Sequence, residues 1–144
     1  MLTHLFHLII YMKRIGHQND RNNQRALIVN TAYTRPVNLF LDQMKETGGL
    51  KGTDIANFTG VSKATVSRWV NGHKSPRPLT QLIISDLAYV IMRLGEYYRQ
   101  EQVRAWLYAP HPQLEGKRAI DLIRNKQTEE VIAILDRLDA DAYI

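Results

Sequence analysis

The sequence predicts an all-α protein, a helix-turn-helix bundle followed by a small helical domain. Three observations predict it. No alternating apolar-polar run of strand length occurs anywhere in the 144 residues. The stretch Gly52–Gly72, GTDIANFTGVSKATVSRWVNG, carries two short helical patterns around a glycine. Beyond Pro78, apolar residues recur at helical spacing in further segments.

Composition bounds the partners. The chain carries a formal net charge of +5, unevenly spread. Residues 1–78 hold 11 Lys/Arg against 4 Asp/Glu, whereas residues 79–144 hold 8 against 10. The basic half contains the helix-turn-helix pattern, as a phosphate-binding module would. The acidic half has no electrostatic reason to touch nucleic acid, so the two halves are expected to have different partners. There is no cysteine. That removes disulfides, thiolate zinc sites and a cysteine nucleophile together. It fits a reducing compartment, and a cytoplasmic location is expected.

Residues 1–35 read as a flexible basic arm. Its apolar run, LTHLFHLIIYM at residues 2–12, lacks a preceding basic region and is followed by Lys13-Arg14, which argues against a signal peptide. It is also too short to span a bilayer, so no membrane partner is expected. His4 and His7 stand at i, i+3 without a third ligand of matching spacing, so no metal site is expected. Met12 is a candidate alternative start.

The helix-turn-helix domain is placed at residues 36–78. Pro36 suits a first helical position, and Val37, Phe40, Leu41 and Met44 follow at helical spacing until Gly48-Gly49. Within the motif, Ile55 and Ala56 face inward, and a small side chain at Ala56 lets the second helix cross closely. Gly60 supplies a left-handed exit, Ser62 caps the second helix, and Val66 and Trp69 form its buried face. The other face carries Lys63, Ala64, Ser67 and Arg68, where a recognition helix meets the major groove. Thr53 is placed to donate to a phosphate as well as to cap. The DNA-binding set is therefore Thr53, Ser62, Lys63, Ala64, Ser67 and Arg68. Asn71-Gly72 is a stop signal, and residues 73–78 read as an extended, Pro-punctuated connector whose cations have phosphate contact and plain solvation as equal readings.

The second domain is placed at residues 79–144. Leu79 to Tyr98 reads as a long helix whose stripe (Ile83, Leu87, Val90, Leu94) is widened by Leu82, Ile84, Ala88 and Ile91. A belt this wide needs cover on more than one side, partly from an oligomer or partner surface. Gln100 to Tyr108 is a second helix, stopped by Ala109-Pro110-His111-Pro112, and Leu114-Glu115-Gly116 is a turn. Arg118 to Arg124 is a short helix in which Asp121 is expected to pair with Arg124 at i, i+3. Gln127 to Asp139 is the last, with Val131, Ile134, Leu135 and Leu138 inward, Thr128 as cap, and Glu129 and Glu130 at its positive end. His111 has no carboxylate at motif spacing. With no nucleophile–base pair, phosphate loop or ligand cluster, no catalytic residue, cofactor or enzymatic activity is expected.

The run Ala105-Trp106-Leu107-x-x-Pro110-x-x-x-Leu114-x-Gly116-x-x-x-Ile120-Asp121-Leu122-Ile123, followed by Glu130-Val131 and Leu135, resembles the toxin-binding domain of Xre/MbcA/ParS-like antitoxins. The preceding helix-turn-helix resembles their Xre-like part. The likeness covers residues 36–144. The chain departs from it at His111, where the family often has Asn, at Ala119, often Pro, and at Asn125-Lys126, where a Gly is common.

The resemblance implies a type II antitoxin that neutralises a RES-domain toxin, one that degrades NAD or transfers ADP-ribose from it. It further implies a C-terminal segment at the toxin's active-site cleft. Asp141, Ala142, Tyr143 and Ile144 fit that role: an aromatic that could fill a base-sized slot, and carboxylates that could meet the cations holding a pyrophosphate. Trp106, Pro110, Leu114 and Gly116 complete the toxin-binding set. By their own chemistry, Trp106 points to core packing and the other three to loop shape. The helix-turn-helix then implies operator binding and autorepression, by a homodimer or a larger toxin–antitoxin hetero-oligomer. The alternative is a stand-alone helix-turn-helix repressor whose second half dimerises.

Overall fold

The structure is a computed structural model that describes residues 37–142. The expected basic arm, the His4/His7 pair, Pro36, Tyr143 and Ile144 lie outside those residues. The described residues form α1 (Val37–Glu46), α2 (Gly52–Thr59), α3 (Lys63–Val70), α4 (Pro78–Leu94), α5 (Gln100–Tyr108), a 3-10 turn (Pro112–Leu114), α6 (Ala119–Arg124) and α7 (Thr128–Ala142). Among them the sole β-type pairing is one isolated bridge between Pro110 and Arg118, as the lack of period-2 patterning predicts. No helix of the described residues is long and apolar enough to cross a membrane.

The helix-turn-helix forms for the reasons its sequence supplies. Gly60 ends α2 at φ 72°, and its N–H reaches the Ala56 carbonyl. That left-handed conformation favours glycine, although a Cβ there would meet nothing within 4 Å. Ser62 caps α3 by accepting from the Thr65 N–H at 3.1 Å. Ile55, Ala56, Val66 and Trp69 are buried, and α1 packs against α3 beneath them.

α4 is the axis of the molecule. From Leu87 to Leu94 every residue is buried, because α1, α2, α6 and α7 all pack on it. The cover that so wide a belt needs thus comes, for most of its length, from within the chain. Only the first turns stay open, with Leu79 at 59% exposure and Leu82 and Ile83 half-buried. α4 also ends at Leu94, four residues before the expected Tyr98, because Gly95 and the turn after it break the pattern. The hydrophobic core runs without interruption from Val37 to Leu135 and takes side chains from both halves.

α7 is turned relative to expectation. Its buried residues are Thr128, Val131, Ile132, Leu135 and Asp139, while Ile134 and Leu138 are half-buried. The carboxylate of Asp139 occupies an inward position because Nη2 of the buried Arg93 of α4 donates to it at 2.7 Å. Thr128 is the first helical residue rather than the cap. Its hydroxyl donates to Asp86 at 2.8 Å, tying the start of α7 to α4.

Candidate functional site

The residues expected to face DNA stand together at the surface. Ser62, Lys63, Ala64, Ser67 and Arg68 are exposed along the outer side of α3, and Thr53 is exposed in the first turn of α2. Val66 and Trp69, at 4% and 3% exposure, hold the opposite side in the core, so the helix cannot roll without unpacking. Lys63 and Arg68 make no ion pair with any described residue. The Ser62 hydroxyl is committed to its own helix, lying 3.0 Å from the Thr65 hydroxyl. Beside this face, Lys74, Ser75 and Arg77 of the connector line a cleft of about 400 Å³ against Gly60 and Thr65.

The helix-turn-helix is fastened to the second half by Asp54. Its carboxylate receives Arg104 Nη1 of α5 at 2.6 Å and Nη2 at 3.1 Å, and also the Lys51 backbone N–H at 2.7 Å. The Arg104 hydrogen bonds hold the Asp54 carboxyl below the ordinary carboxylate range, outweighing the opposing effect of burial. The Arg104 guanidinium also lies 5.0 Å from the centre of the Tyr108 ring, and that of Arg118 lies 5.7 Å from it. Asp54 and Arg104 are 50 residues apart in the chain. Sequence spacing offered no signal for their meeting beyond an acidic residue in the first turn of a helix.

The motif residues of the second half build one loop. Leu114 is 3% exposed and anchors the 3-10 turn, which packs on α7. The chain reverses at Glu115 (φ 57°) and Gly116 (φ 79°), where the Gly116 N–H donates to the His111 carbonyl at 2.9 Å. Exposed Pro110 faces Arg118 across the isolated bridge. Trp106 is half-buried against the core, its ring centre 4.4 Å from that of His111. His111 Nε2 also lies 2.7 Å from the Trp106 carbonyl oxygen. His111 thus braces the loop.

The other departures have physical readouts too. Ala119 is fully buried at the start of α6, and Lys126 adopts a left-handed φ of 63° where a Gly would be free of strain. Asp121 pairs mainly with Arg118, at 2.7 and 3.0 Å, and only distantly with Arg124, at 3.9 Å. Arg118 sits at the N-cap of α6 in extended backbone. The expected pair with Arg124 is present, and Arg118, also three positions away, is the closer partner.

Asp141 and Ala142 are exposed in the last turn of α7. They and the loop around Trp106 belong to the same half, while the face of α3 belongs to the other. The expected residues therefore form two sets rather than one cleft. Among the described residues, no three His, Cys, Asp or Glu side chains cluster as a metal site would require.

Sequence reasoning missed Arg93 and Asp139. The available signals were a cation inside the buried run Ile91-Met92-Arg93-Leu94 and an acidic residue four positions after Leu135, on the apolar face of α7.

Comparison with known proteins fits this arrangement. Residues 93–143 match the family model described as the antitoxin Xre/MbcA/ParS C-terminal toxin-binding domain. The chain is 27% identical over 96 residues to the mycobacterial cidal antitoxin MbcA of Mycobacterium bovis, covering 67% of this chain and 85% of that protein. The same figures hold for MbcA of Mycobacterium tuberculosis. A chain in the crystal structure of the M. tuberculosis MbcT–MbcA toxin–antitoxin complex superposes with a TM-score of 0.65 at 24% identity, covering 76% of this chain and 99% of that chain. The last likeness establishes a shared all-α fold.

Proposed function

We infer that this chain, which is Xre/MbcA/ParS-like and carries that family's toxin-binding domain at residues 93–143, is the antitoxin of a toxin–antitoxin pair. Its partner is a RES-domain toxin that consumes NAD or transfers ADP-ribose. Neutralisation is by occlusion: the segment Asp141–Ile144 enters the toxin's cleft, Tyr143 fills a base-sized slot, and the acidic groups meet the cations that hold the pyrophosphate. The helix-turn-helix binds operator DNA through Thr53, Ser62, Lys63, Ala64, Ser67 and Arg68 and represses the chain's own operon. One such helix reads few bases, so a homodimer on half-sites about one helical turn apart is required.

The match of residues 93–143 carries the reading. Two further features support it. α7 ends in exposed residues, and the cations on the outer face of α3 are unpaired among the described residues. The test is co-expression with a RES-domain toxin, followed by capture, NAD consumption and operator-binding assays. Removing residues 142–144 is expected to abolish inhibition and leave operator binding intact. Arg68→Ala is expected to do the reverse, lowering operator affinity and reducing the salt slope by about one. Equal damage to both activities by both changes would overturn the division of labour. Operator binding without any toxin capture would leave a stand-alone repressor.

A further inference from the structure

Among the described residues, Arg93 is the one buried cation, at 2% exposure, in the last turn of α4. Its Nη2 lies 2.7 Å from Asp139 Oδ2 and 2.9 Å from Asp136 Oδ1. Its Nη1 donates to the Tyr89 hydroxyl at 3.2 Å, and the Tyr97 hydroxyl donates to Asp139 Oδ1. The charge is kept despite its burial. Desolvation opposes it most, but Tyr89, Asp139 and Asp136 outweigh that and raise the guanidinium above its ordinary pKa.

The position of this network matters more than its strength. A buried ion pair seldom contributes more stability than apolar residues of the same volume. It does fix geometry, because charged groups hydrogen-bond in definite directions whereas apolar contacts tolerate sliding and rolling. After Leu135, Asp139 is the only described residue of α7 that is buried. Leu138 is half-buried, and Ala140, Asp141 and Ala142 are exposed. The end of α7 is therefore fastened mainly by charge. The directional hydrogen bond from Arg93 to Asp139, with Asp136 ion-paired beside it on the adjoining turn, sets the rotation of that end.

We propose that Arg93 is a positioning residue for toxin neutralisation: by gripping Asp136 and Asp139 it sets the direction in which the chain leaves α7 toward the toxin's cleft. This rests on the occlusion reading given above. It adds that occlusion depends on a residue that touches neither toxin nor substrate.

The test uses the full chain, alone and co-expressed with a RES-domain toxin. Arg93→Met/Asp139→Asn removes both fully buried charges together and leaves Asp136, whose side chain is 31% exposed, as the remaining charge. Exchange protection of the amides of Leu138–Ala142 is expected to fall at least about tenfold, with the amides of α1 to α3 unaffected. Toxin inhibition is expected to weaken at least about tenfold while capture of the toxin changes less than about threefold. A merely structural role would lower capture and inhibition together. Tyr97→Phe, which deletes one hydroxyl, is expected to move both readouts the same way by about threefold, and it carries the comparison if the double variant fails to fold. Unchanged exchange protection, or unchanged inhibition alongside loss of inhibition on removal of residues 142–144, would overturn the proposal. Full inhibition by the shortened chain would show instead that occlusion itself is wrong, and the proposal would go with it.

Discussion

The outer face of α3 and the far end of α7 are the two candidate working surfaces, and they are held by opposite means. α3 is held by apolar packing. Val66 and Trp69 sit in the core, Ser62 caps the helix, and no described residue pairs with Lys63 or Arg68. The end of α7 is held by charge, with Asp139 drawn in by Arg93 and Tyr97. A surface proposed to meet phosphates gains from leaving its cations uncommitted, and packing can fix it without using them. A helix end meant to aim a short segment gains from directional contacts. Between the two, Asp54 and Arg104 join the halves through a partly exposed ion pair.

The contrast breaks most sharply at Trp69. Trp69→Ala is expected to destabilise the chain by about 3–5 kcal/mol, because a large buried ring leaves a cavity. Thermal unfolding at low and high salt should show nearly the same loss; a strong salt dependence would mean that charge, not packing, holds α3. Next comes Asp139→Ala, which leaves Arg93 buried with Asp136 as its remaining carboxylate partner. A loss of about 3 kcal/mol is expected in urea unfolding. A loss below about 1 kcal/mol would mean that Asp136 alone holds the end of α7.

Asp54→Asn probes the join. At pH 7 a loss of about 1–2 kcal/mol is expected, since the charged acceptor of Arg104 is removed. The Asp54 pKa is lowered on folding, so its ionised form stabilises the native state. That contribution is complete above the unfolded carboxylate pKa of about 3.9 and is lost as pH falls through the lower, folded value. The gap between parent and variant should therefore close in strong acid, and a gap as large there as at pH 7 would contradict the ion pair. The smallest effect belongs to Lys126→Gly. Relief of its left-handed backbone is partly offset by the greater freedom of glycine in the unfolded chain, so a gain of about 0.5 kcal/mol is expected. A clear loss in the thermal midpoint would show that the Lys126 side chain makes up for its strain.

How far each of these features could be read in advance follows the distance between the residues involved. The helix-turn-helix was legible because its signals are local: Ile55, Ala56, Gly60, Ser62, Val66 and Trp69 lie within 15 residues and each type matches its backbone position. The helices of the second half were legible from periodicity, to within a few residues at their ends. The face that α7 turns inward was not legible, because Asp139 is buried for the sake of Arg93, 46 residues earlier. The belt on α4 was legible only in part. Width shows that cover is needed, but not that α1, α2, α6 and α7 supply it. The six α3-side and eight loop and tail residues named from the sequence fall into two separate groups, and those of the tail beyond Ala142 stand outside the described structure.

One small contact has an optical consequence. The chain has two tryptophans, one in each half. Trp69 is shielded from water in the helix-turn-helix, whereas Trp106 is half-buried with the His111 ring 4.4 Å from its own. A ring packed at that range perturbs indole fluorescence, so emission from Trp106 should change when His111 is moved from the ring. Single-tryptophan variants, Trp69→Phe and Trp106→Phe, would separate the two signals. The proposed protein and DNA contacts could then each be followed by intrinsic emission, without a label.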